Sequence, residues 1–397
     1  MSAHADPRLA RLGEFPFRRL ARLLETVAPS PRCALIDLSI GEPKHAPPAI
    51  LAQTVAAHGD AWNRYPPPAG TPEYRAACAA WAQRRYALPA GALDPERNVL
   101  ALAGTKEGLF AIASLLVPGR ERPVVLMPSP YYAVYAGAAL MAGAEPVLLP
   151  ADASTGHLPD LDALPPDLLA RTAAFYLTSP ANPQGVVAQR AYLAKALALA
   201  RRHDFTLLLD ECYAELWLEA PPPGGLEVAH AEHGDFRNLL VFHSLSKRSS
   251  APGLRAGFVA GDPGLLAAFA TLRAYAAPVM PLPLAAAAIE LWRDEAHVEA
   301  NRAAYRAKID LAERILASRY GYFRPAAGFF LWLEVGDGEA VARRLWAEAA
   351  LKVLPGAYLA LADAAGRNPA APFIRLALVH DLPVVEEALM RLVAVLG

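Results

Sequence analysis

The alternation of short apolar segments with helical segments in the middle of the chain constrains the fold more than any other feature. The apolar segments are five to eight residues long and predict buried strands at 124–130, 146–150, 173–180, 206–211, 239–246 and 256–261. Segments typical of helices lie between several of them, at 105–117, 132–143 and 188–204. This alternation predicts an α/β fold in which helices wrap a mainly parallel sheet.

The pattern changes after residue 285. A long helical run at 284–320 is followed by predicted strands at 328–335 and 373–379, which indicates a smaller α+β domain. We therefore predict three parts: an N-terminal segment at 1–40, a large domain at 41–285 and a small C-terminal domain at 286–397. The N-terminal segment is expected to pack with the small domain, because it does not fit the strand–helix alternation either. Two domains that meet at a cleft commonly form a ligand site there.

Composition disfavours several functional classes. The chain has 397 residues, of which 54% are hydrophobic, so we expect a compact globular protein. A net charge of −1 gives no support for binding to nucleic acid or to a membrane surface. The cysteines are scattered without a CxxC pair or a Cys/His cluster, which favours a reducing compartment and argues against a structural zinc site. Because no secretory signal and no apolar run of about eighteen residues occur, we expect a cytoplasmic protein.

Polar side chains follow the ends of neighbouring predicted strands. Asn182 comes directly after strand 173–180, Asp210 ends the next strand, and Ser244 to Lys247 end the strand after that. Ligands of open parallel sheets bind outside the carboxyl ends of the strands, so these side chains mark a candidate site. Lysine occurs at only six positions, which limits the candidates for an amine nucleophile.

The segment HSLSKRSSAPGLRAGF carries the strongest chemical signal. It places Ser244 and Ser246 before Lys247, and Arg255 eight residues after that lysine. A lysine at a strand end beside a fixed cation can be neutral part of the time and condense with an aldehyde. Hydroxyl groups and a guanidinium are the donors that a phosphate dianion needs. The alternative is a solvated surface loop, which the flanking strands and the Pro-Gly turn disfavour.

Four further polar residues have both a functional and a structural interpretation. Asp210 could pair with a protonated ring nitrogen, or it could cap a helix. Tyr213 and Asn182 could donate to an oxygen of the same ring, although an asparagine is also typical of a plain turn. Arg375 lies inside the apolar strand FIRLALV and therefore needs a carboxylate partner, either from the protein or from a substrate.

Two loops supply weaker candidates. In ALAGTKEGLF, Gly104 and Thr105 join a strand to a helix, where backbone amides can bind an anion. Lys106 in the first helical turn suits phosphate or solvent better than catalysis. Tyr65 lies in RYPPPAGTPEYR, which by spacing alone is only a proline-rich loop. The segment PYYAVY offers aromatic side chains for ring stacking or for core packing: Tyr131, Tyr132 and Tyr135.

Together these residues resemble the class I and II pyridoxal-phosphate-dependent aminotransferases over nearly the whole chain. The motifs follow the family order: IGEP (40–43), Tyr65 to Arg75, AGTKEG, PYYAVY, ANPQG, DECY, SLSKRSSAPGLRAG and FIRLAL. The resemblance implies the aspartate-aminotransferase-like type I fold, pyridoxal 5'-phosphate as cofactor, and a homodimer with shared active sites. Gln184 stands where the family usually has threonine. The Thr105-Lys106 pair replaces a commoner serine–arginine pair, which leaves it open whether Lys106 contacts phosphate, substrate or solvent.

The resemblance also implies residue roles. Lys247 would carry the cofactor as a Schiff base and later move a proton. Asp210 would bind the ring nitrogen, Asn182 and Tyr213 the ring oxygen, and Tyr132 would stack on the ring. The phosphate would be bound by Gly104, Thr105, Lys106, Ser244 and Arg255, together with Tyr65 from the neighbouring subunit. The substrate α-carboxylate would be bound by Arg375, with Gly41 and Asn182 close by.

Within the family, the chain is most similar to the succinyldiaminopimelate aminotransferases of proteobacteria, through FPFRRLARLL, LIDLSIGEPKHAPPAI and LKVLPGAYLA. The substrates implied are N-succinyl-LL-2,6-diaminopimelate and 2-oxoglutarate, in lysine biosynthesis. Lys44, Lys106 and Arg248 are candidates for contacting a distal carboxylate. The alternatives are an aspartate, alanine, aromatic or acetylornithine type of aminotransferase, a carbon–sulfur lyase of the same fold, or a non-enzymatic sensor or ligand-binding protein.

Overall fold

The computed structural model describes residues 6–276, 278–362 and 366–397. Its strands are β1 (Ile36–Asp37), β2 (Val99–Leu102), β3 (Val124–Ser129), β4 (Glu145–Pro150), β5 (Thr172–Thr178), β6 (Thr206–Asp210), β7 (Leu239–Ser244), β8 (Gly257–Gly261), β9 (Phe330–Glu334), β10 (Leu351–Lys352), β11 (Leu354–Pro355) and β12 (Phe373–Ala377). Short 3₁₀ helices lie at Pro7–Leu12, Gly59–Asn63, Ala153–Thr155, Pro252–Leu254, Arg319–Gly321 and Gly356–Leu359.

The described residues contain fifteen α-helices. They are α1 (Pro16–Leu24), α2 (Ala49–Ala57), α3 (Pro72–Arg85), α4 (Thr105–Ala111), α5 (Ala113–Leu116), α6 (Ala133–Ala142), α7 (Pro166–Arg171), α8 (Arg190–Arg202), α9 (Gly225–His233), α10 (Leu245–Arg248), α11 (Pro263–Ala276), α12 (Leu282–Arg293), α13 (Ala296–Leu316), α14 (Gly338–Ala349) and α15 (Leu382–Leu396).

A seven-stranded sheet forms the centre of the large part of the protein. Its strand order is β2-β8-β7-β6-β5-β3-β4, and only β8 runs antiparallel to its neighbours. Strands β3, β5, β6 and β7 are buried along their whole length, because helices cover both faces of the sheet. Burial on both faces explains why these segments are continuously apolar. The predicted mainly parallel α/β sheet is confirmed.

Alternate residues of each central strand face different cores. In β6, Leu207 and Leu209 pack into the core that also contains Trp81, whereas Leu208 packs into the core that contains Tyr135. Asp210 lies two residues after Leu208 and therefore on the same face, so its carboxylate reaches the side of the sheet that carries Tyr135. The two-residue period of the strand thus decides which face receives the polar group at its end.

The last hundred residues build a second layer with its own core. Strands β11, β12 and β9 form an antiparallel sheet, and β1 pairs in parallel with β10. Helices α13, α14 and α15 pack beside these strands on residues such as Ile309, Leu345 and Leu389. Helix α1 packs on α14 through Leu20 and Leu24. The first five residues of the predicted N-terminal segment lie outside the described residues.

The single helix predicted at 284–320 is wrong, because the chain breaks there into α12 and α13. Asp294 adopts an extended backbone and its carboxylate accepts a hydrogen bond from the backbone N–H of Ala296, at 3.0 Å. This contact satisfies a free donor at the start of α13. Helix α12 packs with α2 and α3 beside the large sheet, whereas α13 packs with α15. No helix in the described ranges is long and apolar enough to cross a lipid bilayer.

Candidate active site

A cavity of about 260 Å³ opens at the carboxyl ends of β5, β6 and β7. The segment after β1, the strand β12 and the beginning of α1 close it from the other side. Eleven of the residues predicted for the site line this cavity: Gly41, Thr105, Lys106, Tyr132, Asn182, Asp210, Tyr213, Ser244, Lys247, Arg255 and Arg375. The carboxyl ends of adjacent parallel strands therefore bring together residues that are more than 150 positions apart in the chain.

Lys247 lies in α10, the single helical turn that follows β7. Its Nζ atom donates a hydrogen bond to the backbone oxygen of Gly41, and it lies 5.7 Å from the ring centre of Phe329. Burial lowers the pKa of Lys247 to about 8, the main cause being loss of hydration of the charged ammonium. About a tenth of this amine is therefore neutral at pH 7, far more than of an exposed lysine, and the neutral amine is the nucleophilic form.

Asp210 is 6% exposed at the end of β6. One carboxylate oxygen, Oδ2, accepts a hydrogen bond from the hydroxyl of Tyr135 at 2.7 Å, and Oδ1 accepts one from the backbone N–H of Cys212 at 3.2 Å. No ion pair of Asp210 is found within residues 6–276, 278–362 and 366–397. A buried carboxylate that has donors but no cationic partner is suited to bind a positively charged group of a ligand.

Tyr135 is a site residue to which the sequence assigned no role of its own. Its ring stacks on Tyr176 at 4.5 Å, and its hydroxyl also lies 2.8 Å from Thr178 Oγ1. The available signal was its spacing from Tyr132, since three residues along a helix return to the same face. The two tyrosines do meet edge to face, with ring centres 5.5 Å apart.

Hydroxyl groups and a guanidinium gather at one end of the cavity. The hydroxyl of Ser244 lies 2.9 Å from that of Ser246, and Thr105 Oγ1 lies 3.2 Å from the sulfur of Cys212. Arg255 donates to the backbone oxygens of Pro252 and Ala103, at 3.0 and 3.3 Å. Three hydroxyls and a fixed guanidinium form a donor set that fits a phosphate group.

Gly104 is not part of the cavity wall, but it sets the position of Arg255. A Cβ atom added to Gly104 would lie only 2.1 Å from Nη2 of Arg255. Gly104 also has φ = +81°, a conformation that side chains disfavour. A residue larger than glycine would therefore displace the guanidinium from this end of the cavity.

Arg375 projects from β12 and is 4% exposed. It donates from Nη1 to Asn182 Oδ1 at 3.1 Å and from Nη2 to the backbone oxygen of Ser39 at 2.7 Å. Its Nε atom is buried without a hydrogen-bond partner, and burial lowers its pKa to about 10. Of the two carboxylate partners considered from the sequence, a protein carboxylate is absent among the described residues. The guanidinium is therefore available to a carboxylate that enters the cavity.

Tyr213 lies against the same wall as Arg375. Its ring packs edge to face on Phe329 and Phe330, with both ring centres 5.6 Å away. Burial raises the pKa of Tyr213 well above its usual value, although the charge of Arg375 opposes this shift. The phenol therefore stays protonated near neutral pH and remains a hydrogen-bond donor.

Three predicted positions lie away from the cavity. Arg248 is 2% exposed and donates to the backbone oxygen of Leu291 at 2.6 Å and to Glu295 at 2.8 Å, so the hypothesis that it contacts a distal carboxylate is wrong. Lys44 pairs with Glu42 at 2.8 Å and is not part of the cavity wall. Tyr65 is fully exposed and does not line the cavity of its own chain.

The sequence also missed the apolar entrance of the cavity. It is lined by Phe15, Phe17, Ile40, Leu354 and Leu359. Lys106 is the cation at this entrance, with its ammonium 5.2 Å from the ring centre of Phe15. Apolar residues of the N-terminal segment give no sequence signal for a site, because the same residues are equally suited to core packing.

Comparison with known proteins gives this arrangement a context. The family profile described as "Aminotransferase class I and II" matches residues 34–392. The LL-diaminopimelate aminotransferase of Desulforudis audaxviator is 31% identical over 407 aligned positions, which cover 100% of this chain and 99% of that protein. The crystal structure of an aminotransferase from Neisseria meningitidis is 35% identical, with a TM-score of 0.93 and coverage of 99% of this chain and 100% of that chain. A probable N-succinyldiaminopimelate aminotransferase from Thermus thermophilus is 26% identical, with a TM-score of 0.81 and coverage of 98% and 100%.

Proposed function

Because the chain belongs to the class I and II aminotransferases, which use pyridoxal phosphate, we propose that its substrates are N-succinyl-LL-2,6-diaminopimelate and 2-oxoglutarate. The observation that carries this proposal is the charge of the cavity wall. Lys106, Lys247, Arg255 and Arg375 contribute cations, whereas Asp210 is the acid among the described lining residues. Because the cofactor would occupy Lys247 and Arg255, the cations left for the substrate are Lys106 and Arg375. Such a cavity favours substrates with more than one carboxylate.

The residues of the cavity fit pyridoxal phosphate. Asp210 is a buried carboxylate without a cationic partner and would hold the pyridine nitrogen, while Tyr132 would stack on the ring. Asn182 and Tyr213 would bind the ring oxygen. The phosphate would be held by Thr105, Ser244 and Arg255, with Gly104 leaving room for the Arg255 guanidinium. When bound, the cofactor supplies an electron sink for the electron pair released at the substrate Cα.

Lys247 would do the proton chemistry of the reaction. Because burial lowers its pKa to about 8, its Nζ atom can accept the proton of the substrate Cα and return it at neutral pH. The backbone oxygen of Gly41 accepts a hydrogen bond from this Nζ atom and so orients the amine. The ring of Phe329 lies near this amine and packs against Phe330, with ring centres 4.8 Å apart, so this side of the lysine is apolar.

Arg375 would bind the α-carboxylate that both substrates share. Its contacts to Asn182 and Ser39 hold the guanidinium plane, and its buried Nε atom has no other partner. Lys106, at the apolar entrance, would bind a distal carboxylate. Of the three candidates for contacting a distal carboxylate, Lys106 lines the cavity, whereas Arg248 and Lys44 do not.

Unmodified LL-diaminopimelate is a second candidate substrate, favoured by the similarity to the LL-diaminopimelate aminotransferase of Desulforudis audaxviator. The distal end of this molecule carries a positive ammonium group. Succinylation removes that charge and adds a carboxylate, which suits the ammonium of Lys106 better. This difference supports the succinylated substrate.

A substrate panel tests the proposal. The loss of visible absorbance of the Lys247-bound cofactor should be fastest with N-succinyl-LL-2,6-diaminopimelate, slower with glutamate and slowest with LL-diaminopimelate. Lys106→Met should raise the Michaelis constant for the acidic substrates about ten- to 150-fold, the value of a charged contact of about 1.5–3 kcal/mol. Lys195→Met, which removes a surface lysine paired with Asp162, is the control. Faster reaction of LL-diaminopimelate than of its succinyl derivative would exclude the succinyl specificity.

A further inference from the structure

A chain of polar side chains, buried at Asn301 and Lys308 and half-buried at His45, connects α13 to the backbone of Lys247. Lys308 Nζ lies 2.6 Å from His45 Nε2, and His45 Nδ1 lies 3.1 Å from Asn301 Oδ1. Asn301 Nδ2 donates to the backbone oxygens of Lys247 and Arg248, at 3.0 and 3.2 Å. None of these three side chains lines the cavity, so Asn301 contacts the backbone of Lys247 from outside the cavity.

Helix α13 presents two members of the chain on one face. Asn301, Tyr305 and Lys308 are spaced four and three residues apart, which places them in one row along the helix. Lys308 is 1% exposed, and its ammonium lies 4.7 Å from the ring centre of Tyr305. The His45 ring packs on the same tyrosine at 4.9 Å. The aromatic ring thus shields the Lys308–His45 contact from water.

Lys308 lacks a carboxylate partner at ion-pair distance among the described residues, and its polar contact is His45. Burial lowers the pKa of Lys308 to about 8, while the negative charge of Asp381 opposes this shift. Burial also lowers the pKa of His45, and the charge of Lys308 adds to that effect. A neutral imidazole can accept a hydrogen bond from this ammonium only through its unprotonated ring nitrogen, so the position of the proton on His45 matters.

The geometry sets the direction of every hydrogen bond in the chain. Both backbone oxygens can only accept, so the Asn301 amide must direct Nδ2 toward them and Oδ1 toward His45. Asn301 Oδ1 also accepts from Ser250 Oγ at 3.1 Å. His45 must therefore donate from Nδ1, which leaves Nε2 as the acceptor for Lys308. A proton on Nε2 would face the ammonium at 2.6 Å and break the contact.

The polypeptide segment that carries His45 also contacts the amine of Lys247. Gly41, four residues before His45, accepts the hydrogen bond from Lys247 Nζ through its backbone oxygen. The backbone N–H of Lys44 donates to the oxygen of Val379 at 3.2 Å, which fastens this segment to the C-terminal part of the protein. Both ends of the lysine, its backbone carbonyl and its amine, therefore depend on where residues 41–45 lie.

We propose that His45, Asn301 and Lys308 are positioning residues, which hold the backbone and the amine of Lys247 in the geometry that proton transfer requires. Asn301 transmits the position of α13 to the lysine carbonyl, and His45 locks the Asn301 amide in the required orientation. Lys308 fixes the tautomer and ring orientation of His45. The functional side of this inference rests on the proposed role of Lys247, whereas the hydrogen-bond chain can be tested without it.

Two substitutions at His45 each remove a different one of its two hydrogen bonds. In His45→Asn the shorter amide can still donate to Asn301 Oδ1 but cannot reach Lys308. In His45→Gln the longer amide can accept from Lys308, but its donor no longer lies opposite Asn301. We therefore expect His45→Gln to lower kcat about tenfold with KM changed less than twofold, since misplacing a reacting group by a fraction of an ångström costs rate. His45→Asn should keep kcat within about threefold of the wild type.

Stability should change in the opposite order. His45→Asn leaves the buried ammonium of Lys308 without an acceptor, so its melting temperature should fall below that of His45→Gln. The matched control is His58→Gln, because His58 is exposed and its Nδ1 atom contacts the backbone oxygen of Thr54 in its own helix end. A purely structural role for His45 predicts that kcat follows stability, and an equal loss of kcat in both variants would overturn the proposal.

A spectroscopic measurement tests the chain without any turnover. In the ¹⁵N-histidine-labelled protein, the resonances of His45 are those missing from the His45→Asn spectrum. They should show a neutral imidazole protonated at Nδ1 at pH 7, and Lys308→Met should change its tautomer populations. A charged imidazole, or one protonated at Nε2 in the wild type, would refute the chain even in a fully active enzyme. Absence of transamination by the wild type would instead count against the proposed function.

Discussion

Replacing Arg375 with lysine tests how the cavity recognises the carboxylate shared by its substrates. Arginine has five N–H donors, and two of the groups of Arg375 are used by Asn182 and Ser39. The remaining donors can form two hydrogen bonds to one carboxylate. Lysine has three N–H donors, so an ammonium that keeps both protein partners has one donor left. Arg375→Lys should therefore lose one hydrogen bond to a charged group.

The magnitude follows from that count. One hydrogen bond to a charged group is worth about 1.5–3 kcal/mol, so kcat/KM should fall about ten- to 150-fold for the amino acid and for the 2-oxo acid. Burial lowers the pKa of Arg375 only to about 10, so the wild-type side chain is charged at the assay pH of 7.5. The binding of pyridoxal phosphate should be unchanged, because Arg375 belongs to the substrate side of the cavity.

The assay compares two donors in single-turnover half-reactions followed by the visible absorbance of the bound cofactor. One donor carries the α-carboxylate, and the other is the corresponding amine without it. The loss in Arg375→Lys should be confined to the donor with the carboxylate. Arg343→Lys, an exposed substitution of the same type on α14, is the control. An equal loss for both donors would refute the carboxylate contact and point to general damage of the site.

Three further predictions concern the reaction, the assembly and the pH dependence of stability. Lys247→Ala should abolish the visible absorbance of the lysine-bound cofactor and essentially all transamination; retained turnover would exclude Lys247 as the catalytic amine. The active form should be a homodimer in which Tyr65 reaches the neighbouring subunit, and Tyr65→Phe should weaken cofactor binding; a fully active monomer in sedimentation experiments would contradict this. Because burial lowers the pKa of Lys308 from 10.5 to about 8, the unfolded protein holds more protons than the folded protein between these pH values, and the free energy of unfolding should rise with pH across that window. This rise, measured by urea unfolding of the cofactor-free protein, should be smaller in Lys308→Met, and an identical rise would show that Lys308 is not the group responsible.

Much of the fold was predictable because a parallel sheet buries its strands on both faces. Continuous apolar segments such as 206–211 and 239–246 therefore stand out in the sequence, and the predicted aspartate-aminotransferase-like fold is confirmed. The strand ends were predictable for the same reason, which is why Asp210 and Lys247 could be singled out. The helix at 284–320 was mispredicted because helical periodicity continues across the break at Asp294, where a single carboxylate contact starts a new helix.

Contacts between distant side chains were decided by the tertiary structure alone. The sequence places Arg248 next to Lys247, yet the helical turn of α10 directs Arg248 toward α12 while Lys247 enters the cavity. It gives no reason to link Tyr135 with Asp210, or His45 with Lys308, which lie 75 and 263 positions apart. The sequence by itself determined the strands, the helices and the polar residues at the strand ends, because these depend on local periodicity and burial. Which side chains meet depends on how helices and loops pack around the sheet, and that packing is set by the whole chain at once.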